Sequence, residues 1–256
     1  MTKVVILAGG LGARFSEETE FKPKPMIEIG GMPILWHIMK IYSSYGCNDF
    51  IICAGYKQYI IKEFFDKYPL HRSNITFNLK SGSTFVHNTE VEDWKVTVVD
   101  TGLNTMTGGR IKKIRPYLDD KPFFMTYGDG VSDINIQDLL SHHKNTKKKI
   151  TMSAVVPTAR FGELDINDGL IQNFAEKKVN SGRLINGGYM VIEPEVLDYI
   201  EGDDTVFEQA PLKTLAKEGE LAAFEHRGFW KCMDKLFDKK ELEAMWHSGK
   251  APWKIW

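Results

Sequence analysis

The first apolar run of this chain ends directly in a cluster of glycines, and this junction limits the folds that the chain can adopt. Residues Val4–Leu7 are apolar and mostly β-branched, which is typical of a strand buried on both faces of a parallel sheet. The following segment Gly9–Gly12 permits a sharp turn whose backbone N–H groups form a concave anion site. Arg14 and the lysines of Lys22–Pro25 add positive charge beside it. The pattern favours a polyphosphate site at a strand end; the alternative is a tight turn followed by a solvated basic loop.

Two common phosphate-binding motifs do not match this segment. A Walker A loop requires a lysine and a hydroxyl residue directly after its second glycine, whereas Gly12 is followed by Ala13 and Arg14. The dinucleotide fingerprint requires a third glycine where this chain has Phe15. A dehydrogenase that binds NAD is therefore disfavoured.

Composition excludes several further classes of protein. The 256 residues carry a formal net charge of -1, whereas nucleic acids and membrane surfaces require a basic stripe. No apolar run is long enough to span a bilayer, and the sequence shows no signal-peptide pattern. Cys47, Cys53 and Cys232 lack metal-ligand spacing, so we expect reduced thiols in a cytoplasmic protein that has neither nucleic acid nor membrane as a partner.

Helical and strand patterns alternate after the glycine segment. The spacing predicts a helix over Pro33–Tyr45, a buried strand over Phe50–Cys53 and a second helix over Lys57–Tyr68 whose Tyr59 faces inward. This alternation indicates a Rossmann-like, doubly wound α/β fold, in which ligands bind at the carboxyl ends of the strands. We expect a mostly parallel mixed sheet with a small β excursion, a hairpin or long loop, over residues 69–93.

The segment after the next predicted strand (Lys95–Val99) resembles a helix start. Thr107–Arg110 contains two glycines and an arginine and opens a predicted helix that runs to about Leu118. Such a start can hold an anion through its free N–H groups and the helix dipole. The alternative is a helix terminus beside a solvated Arg110.

A carboxylate follows the next buried strand, Phe123–Tyr127. Asp129 lies between two glycines, where it can hold Mg²⁺ near bound phosphates, because Mg²⁺ takes one or two carboxylates together with substrate oxygens. An Asx turn is the alternative.

The second half contains further strands, helices and polar pairs. We predict a strand over Ile150–Val156, a hairpin around residues 167–169, and a helix that Thr205 and Glu208 begin as a capping box. Glu176 and Lys177 are suited to sugar hydroxyls and to a sugar phosphate, or else form a surface salt bridge. Asp234 precedes a closing helix, for which an N-cap is the simplest role.

Several of these motifs together resemble the sugar-1-phosphate nucleotidyltransferases, a family that joins a nucleoside triphosphate to a sugar 1-phosphate. The stretches that carry the resemblance, which extends over essentially the full chain, are Leu7–Arg14, Lys24-Pro25, Gly128–Gly130, Phe174–Lys177 and Phe229–Asp234. Two further stretches, Asp100–Arg110 and Ala251–Lys254, resemble the glucose-1-phosphate cytidylyltransferases in particular. The chain departs from the family pattern at Ala13, where threonine is usual, and at Lys178, where proline is usual.

The resemblance implies a role for each matching residue. Those expected to bind nucleotide are Leu7, Ala8, Gly9, Gly10, Leu11, Gly12, Ala13, Arg14, Lys24, Thr105, Arg110 and Gly128. Those expected to bind the sugar phosphate are Glu176, Lys177, Asn186 and Gly188. Asp129 and Asp234 are the expected Mg²⁺ ligands, and Arg14 and Lys24 the catalytic residues. The resemblance also implies a homo-oligomer, often a hexamer.

The expected reaction is transfer of a cytidylyl group from CTP to α-D-glucose 1-phosphate, giving CDP-glucose and pyrophosphate. A single domain (1–256) would carry it, with a nucleotide-binding half (1–130) and a sugar-phosphate-binding half (131–256). A thymidylyl- or uridylyltransferase is the nearest alternative, and a non-catalytic nucleotide or sugar-phosphate sensor is a more distant one.

Overall fold

The computed structural model describes residues 2–12, 16–157, 163–167, 170–175 and 184–256, without the side chains of residues 16–17, 163–167 and 170–175. The strands of the first half are β1 (Val4–Ala8), β2 (Glu28–Ile29), β3 (Met32–Pro33), β4 (Asp49–Ala54), β5 (Ser73–Asn78), β6 (Ser83–Thr89), β7 (Lys95–Asp100) and β8 (Phe123–Tyr127). The remaining strands are β9 (Gly130–Ser132), β10 (Ile150–Val155), β11 (Glu163–Asn167), β12 (Leu170–Ala175), β13 (Ile185–Ile192), β14 (Leu221–His226) and β15 (Trp230–Cys232). The helices are α1 (Ser16–Thr19), α2 (Ile34–Ser43), α3 (Gln58–His71), α4 (Thr107–Lys113), α5 (Ile136–Thr146), α6 (Ala210–Lys217) and α7 (Leu236–His247). Short 3₁₀ turns cover Lys24–Met26, Arg115–Tyr117 and Pro194–Tyr199.

A seven-stranded sheet in the order β14-β10-β13-β8-β1-β4-β7 forms the centre of the molecule. Its neighbouring strands pair in parallel except on the two sides of β13, which runs the other way. The predicted mostly parallel, doubly wound mixed sheet is therefore confirmed. Strands β1 and β8 end at the edge of the sheet where β13 begins, because β13 runs antiparallel to them.

Successive residues of β1 bury their side chains on opposite faces of the sheet. Val4 and Ile6 belong to the apolar core that contains α2, whereas Val5 and Leu7 belong to the core that contains Ile111 of α4. Both faces are covered, which explains why β1 is an uninterrupted apolar run instead of an alternating one.

Most of the predicted elements are present, and the excursion at 69–93 is the hairpin β5–β6. The segments that pair as β11 and β12 confirm the second predicted hairpin, although its turn residues 168–169 lie outside the described residues. Two local predictions are wrong: Tyr59 is 60% exposed, and the helix that begins at Thr107 ends at Lys113 instead of near Leu118. Every helix in the described ranges is too short or too polar to cross a membrane.

Candidate functional site

Two neighbouring cavities open at the shared edge of the sheet. The first, here the glycine-loop cavity, has a volume of about 490 Å³ and lies against the residues that follow β1. The second, here the β13 cavity, has a volume of about 950 Å³ and lies against the amino end of β13. Tyr127, Asp129 and Asp234 line both cavities, so a ligand in one cavity lies directly beside a ligand in the other.

Most of the sequence-predicted residues come together here. Those that line the glycine-loop cavity are Leu7, Ala8, Gly9, Gly10, Gly12, Lys24, Thr105, Arg110 and Gly128. Asn186 and Gly188 line the β13 cavity. Leu11 is 54% exposed and is not among the lining residues of the glycine-loop cavity. Ala13, Arg14, Glu176 and Lys177 lie outside the described residues.

An ammonium group joins the two predicted metal ligands. Lys24 Nζ lies 2.7 Å from Asp129 Oδ2 and 2.6 Å from Asp234 Oδ1. Burial alone would lower the pKa of Lys24, but the Asp129 carboxylate and the hydrogen bonds to both aspartates outweigh it and raise that pKa. The lysine therefore remains a cation, and its ammonium orients both carboxylates towards one place.

A two-stranded ribbon brings Asp234 to Asp129. Strand β9 follows Asp129, strand β15 precedes Asp234, and the two pair antiparallel with Cys232 opposite Gly130. The N–H of Met233 donates to the carbonyl of Asp129 at 2.8 Å. The carboxylate of Asp238, not that of Asp234, accepts the N–H groups of Asp234 and Lys235 at the start of α7. The N-cap role considered for Asp234 is therefore wrong.

The cluster has the chemistry of a site for a hard divalent cation. Ligand atoms of Asp129, Cys232 and Asp234 lie within 4.8 Å of one another. The two carboxylates supply the oxygen atoms that such cations prefer. Burial and the nearby Asp129 carboxylate raise the pKa of the Cys232 thiol, which therefore stays neutral. The two aspartates fit a divalent cation.

The Arg110 guanidinium packs against the glycine turn at Gly9. Its side chain is buried, and its guanidinium donates to Thr101 Oγ1 at 2.7 Å, to the Gly102 carbonyl at 2.7 Å and to the Leu103 carbonyl at 3.1 Å. A Cβ added at Gly9 would lie 2.1 Å from the Arg110 Nη1 atom. Glycine is required at position 9 because the guanidinium fills the space of a side chain.

The expected anion site at the start of α4 is wrong. The N–H groups of Gly108 and Gly109 donate to the Thr205 carbonyl at 2.9 and 3.3 Å, and that of Met106 donates to the Asp203 carbonyl. These N–H groups already have partners because the loop before α6 folds over the helix start. Arg110 is likewise bonded to carbonyls instead of being solvated, so neither of the two alternatives considered for this segment describes it.

The second side of the glycine turn is held by the segment after β4. The N–H of Tyr56 donates to the Gly9 carbonyl at 3.2 Å, and its hydroxyl donates to the Thr19 carbonyl at 3.1 Å. Thr19 Oγ1 in turn donates to the Gly12 carbonyl at 3.2 Å. Gly12 and Thr19 are thus joined to each other, and Gly9 and Thr19 are joined to the segment after β4.

Sequence reasoning did not single out Tyr127, which lines both cavities, or Glu208, which forms a hydrogen bond to it. The Tyr127 hydroxyl donates to Glu208 Oε1, and Thr107 Oγ1 donates to Glu208 Oε2, both at 2.6 Å. The predicted capping box of Thr205 and Glu208 is wrong, since α6 begins at Ala210 and Glu208 bonds to residues of other elements. The position of Tyr127 at a strand end, two residues before Asp129, was the available signal.

Comparison with known proteins identifies the family. The sequence profile of the family described as nucleotidyl transferase matches residues 3–233. The chain belongs to the nucleotidyltransferase family. The resemblance seen in the sequence is confirmed, and the molecule is a nucleotidyltransferase with the central sheet of that family.

The relatives of this nucleotidyltransferase include proteins that match nearly end to end. The glucose-1-phosphate cytidylyltransferase of Salmonella typhimurium is 56% identical over 255 residues, which cover 99% of each chain. The probable glucose-1-phosphate cytidylyltransferase of Bacillus subtilis is 44% identical over 99% of this chain and 100% of its own. Among solved structures, HddC from Yersinia pseudotuberculosis superposes with a TM-score of 0.71 at 24% identity, over 96% of this chain and 100% of its own. This last likeness concerns the fold.

Proposed function

We propose that this nucleotidyltransferase transfers a cytidylyl group from CTP to α-D-glucose 1-phosphate, giving CDP-glucose and pyrophosphate. The observation that carries the proposal is the 56% identity to the Salmonella typhimurium glucose-1-phosphate cytidylyltransferase over 99% of both chains. The geometry agrees with a reaction between two bound phosphates, because two cavities share the wall that contains Asp129 and Tyr127.

Each cavity is assigned one substrate. The glycine-loop cavity, with its backbone turn and Lys24, is assigned the triphosphate of CTP, and the β13 cavity is assigned glucose 1-phosphate. Arg14 is proposed to neutralise the departing pyrophosphate. Glu176 and Lys177 are proposed to bind the sugar hydroxyls and the sugar phosphate, with Asn186 and Gly188 beside them. The division into a nucleotide half (1–130) and a sugar half (131–256) belongs to the same proposal.

The reaction requires no general base. A phosphomonoester has a second pKa near ~6, so the attacking oxygen of glucose 1-phosphate is already ionised at neutral pH. The difficulty is to bring two anions together and to stabilise charge at the α-phosphorus, which positioning and fixed positive charge can do. Lys24, which lines the glycine-loop cavity and is bonded to Asp129 and Asp234, supplies that charge, and its raised pKa keeps it protonated.

A divalent cation, Mg²⁺, is proposed as the cofactor. Asp129 and Asp234 would hold it, since their oxygens already converge on one cation, the Lys24 ammonium. When bound, Mg²⁺ neutralises phosphate charge and polarises phosphoryl oxygens. The Lys24 ammonium would be available beside this cation to donate to a phosphate.

Pyrophosphate release tests the proposal. The purified enzyme is incubated with glucose 1-phosphate, Mg²⁺ and each of CTP, UTP, dTTP, ATP and GTP. We expect the highest kcat/KM with CTP. Preference for UTP or dTTP would overturn the assignment of the base and favour a uridylyl- or thymidylyltransferase. Binding of CTP and glucose 1-phosphate without turnover of any pair would favour a sensor.

We further propose that the enzyme is a homo-oligomer and that the β5–β6 hairpin contributes to the contact between subunits. The hairpin forms a separate two-stranded sheet, and such sheets are marginally stable in water by themselves. Phe77, Leu79 and Phe85 on it are 55%, 92% and 64% exposed. A second copy of the chain would cover this apolar surface.

A further inference from the structure

Tyr127 lies between the two cavities, together with Asp129 and Asp234. It ends β8, two residues before Asp129, and it lines the glycine-loop cavity on one side and the β13 cavity on the other. Its ring lies so close to Gly188 that a Cβ there would come within 2.6 Å of the Tyr127 Cδ2 atom. The position of this ring therefore helps to set the distance between ligands in the two cavities.

Glu208 forms hydrogen bonds to two residues that line the cavities, Tyr127 and Thr107. One carboxylate oxygen accepts the Tyr127 hydroxyl at 2.6 Å, and the other accepts the hydroxyl of Thr107, a lining residue of the glycine-loop cavity, also at 2.6 Å. Thr107 Oγ1 in turn accepts the N–H of Phe207 at 2.9 Å. Each hydroxyl thus has a fixed orientation, and the Glu208 carboxylate links Tyr127, which lines both cavities, to Thr107, which lines the glycine-loop cavity.

The bonds to Glu208 are hydrogen bonds to a charged acceptor, which are shorter and stronger than neutral ones. Both hydroxyls are donors to the same carboxylate, so the Tyr127 and Thr107 side chains are oriented by one acceptor.

We propose that Glu208 is a positioning residue for the transfer reaction: by orienting Tyr127 and Thr107 it fixes the relative placement of the nucleotide and the sugar phosphate. This inference rests on the proposed function. A displacement of about 1 Å between reacting groups can lower a rate by about 100-fold without changing binding much. Loss of Glu208 should therefore reduce kcat and leave KM nearly unchanged.

A purely structural role would give another result. Glu208 also links the loop before α6 to α4, so its removal could lower stability without affecting catalysis. The chain offers a matched control in Tyr199 and Glu218, whose side chains form a tyrosine–glutamate hydrogen bond of 2.8 Å. Neither residue lines either of the two cavities, so Glu218→Ala removes the same chemistry away from the site.

The test measures kcat and KM for CTP and glucose 1-phosphate in wild type, Glu208→Ala, Glu208→Gln, Tyr127→Phe and the double variant Tyr127→Phe/Glu208→Ala. We expect Glu208→Ala to lower kcat by about 10- to 100-fold, with either KM changed by less than about threefold. The glutamine variant should recover most of kcat, because its amide accepts one hydroxyl and donates to the other. The double variant should be no slower than Glu208→Ala, since both changes break the same link.

Three results would overturn the inference: an unchanged kcat in folded Glu208→Ala, an equal loss in Glu218→Ala, or a double variant whose loss is the product of the single losses. If Glu208→Ala does not fold, Tyr127→Phe and Thr107→Val each remove one of the two bonds, and wild-type kcat in both would overturn it. A wild-type enzyme that does not convert CTP and glucose 1-phosphate would instead refute the proposed function. The same variants would then be compared with the substrate pair that reacts.

Discussion

Replacement of Lys24 by methionine distinguishes a catalytic role of this residue from a structural one. The ammonium lies within 2.7 Å of Asp129 and Asp234, and its side chain is 13% exposed, against 26% and 24% for the two aspartates. Methionine keeps much of the length and the apolar stem but removes the charge. Two carboxylates then face each other without the cation between them.

The expected magnitudes can be estimated from these contacts. Hydrogen bonds to charged groups contribute about 1.5–3 kcal/mol each, but partial exposure reduces this value, so we expect a loss of about 1–3 kcal/mol in the free energy of unfolding. Removal of one preorganised charge-stabilising group costs about 100- to 1000-fold in kcat, or about 3–4 kcal/mol. The enzyme should therefore stay folded and lose most of its turnover.

The pH dependence of the stability loss provides a second check. A lysine whose folded pKa is raised stabilises the fold fully below its unfolded pKa of 10.5 and loses that effect only as the pH rises through the folded pKa. The difference between wild type and Lys24→Met should therefore be constant between about pH 6 and pH 9. Urea unfolding at several pH values measures it.

Lys22 supplies the matched control. It lies in the same proline-flanked loop and forms a 2.7 Å ion pair with Glu28, away from the two aspartates. Lys22→Met should keep kcat within about threefold of wild type, because exposed ion pairs contribute little. Steady-state pyrophosphate release by the two variants gives the comparison. Full activity of Lys24→Met, or equal losses in both, would refute the role given to Lys24.

Three further predictions concern the glycine turn, a buried histidine and the hairpin. Gly9→Ala places a Cβ against a buried guanidinium and should cost about 1–3 kcal/mol in urea unfolding, whereas Gly10→Ala, with no atom within 4 Å of its Cβ, should change stability by less than about 0.5 kcal/mol. Burial lowers the pKa of His37 from 6.5 to about 4. As the pH falls between these two values, the unfolded chain binds a proton before the folded chain does, and up to about 3 kcal/mol of stability is lost. His37→Gln should remove this part of the dependence of the unfolding free energy on pH. Phe77→Ser/Phe85→Ser should shift the elution of the enzyme in size-exclusion chromatography towards a smaller species.

Each of these predictions has a contradicting result. Equal stabilities of the two glycine variants would mean that the turn adjusts to a side chain at position 9. An unchanged slope below pH 6.5 in His37→Gln would assign the acid sensitivity to other groups. An unchanged elution volume in the double phenylalanine variant, with far-UV circular dichroism like that of wild type, would exclude the hairpin from the contact between subunits.

The elements that could be predicted from the sequence are those whose pattern is local. Strand β1 is an uninterrupted apolar run, and β4 and β8 are mostly apolar, because these strands lie inside the sheet. The residues that follow β1 and β8 line the site because parallel strands end at one edge. Gly9, Lys24 and Asp129 could be selected on that basis. For Asp129, the family resemblance was needed to choose metal binding over a turn.

The remaining features depend on contacts between distant segments. The pairing of β9 with β15 brings Asp234 to Asp129, and no periodicity in either segment encodes it. Glu208 stands three residues after Thr205 and so matched a capping box, but its hydrogen bonds to Thr107 and Tyr127 place it elsewhere. Local capping patterns fail where a tertiary partner is available to the same carboxylate.

Isotope transfer tests whether glucose 1-phosphate attacks the α-phosphorus of CTP. Glucose 1-phosphate labelled with ¹⁸O in its phosphate oxygens is incubated with CTP, Mg²⁺ and the wild-type enzyme, and the products are analysed by mass spectrometry. We expect CDP-glucose that retains all of the label, and pyrophosphate that contains none. Labelled pyrophosphate or labelled inorganic phosphate, or the absence of CDP-glucose, would contradict it.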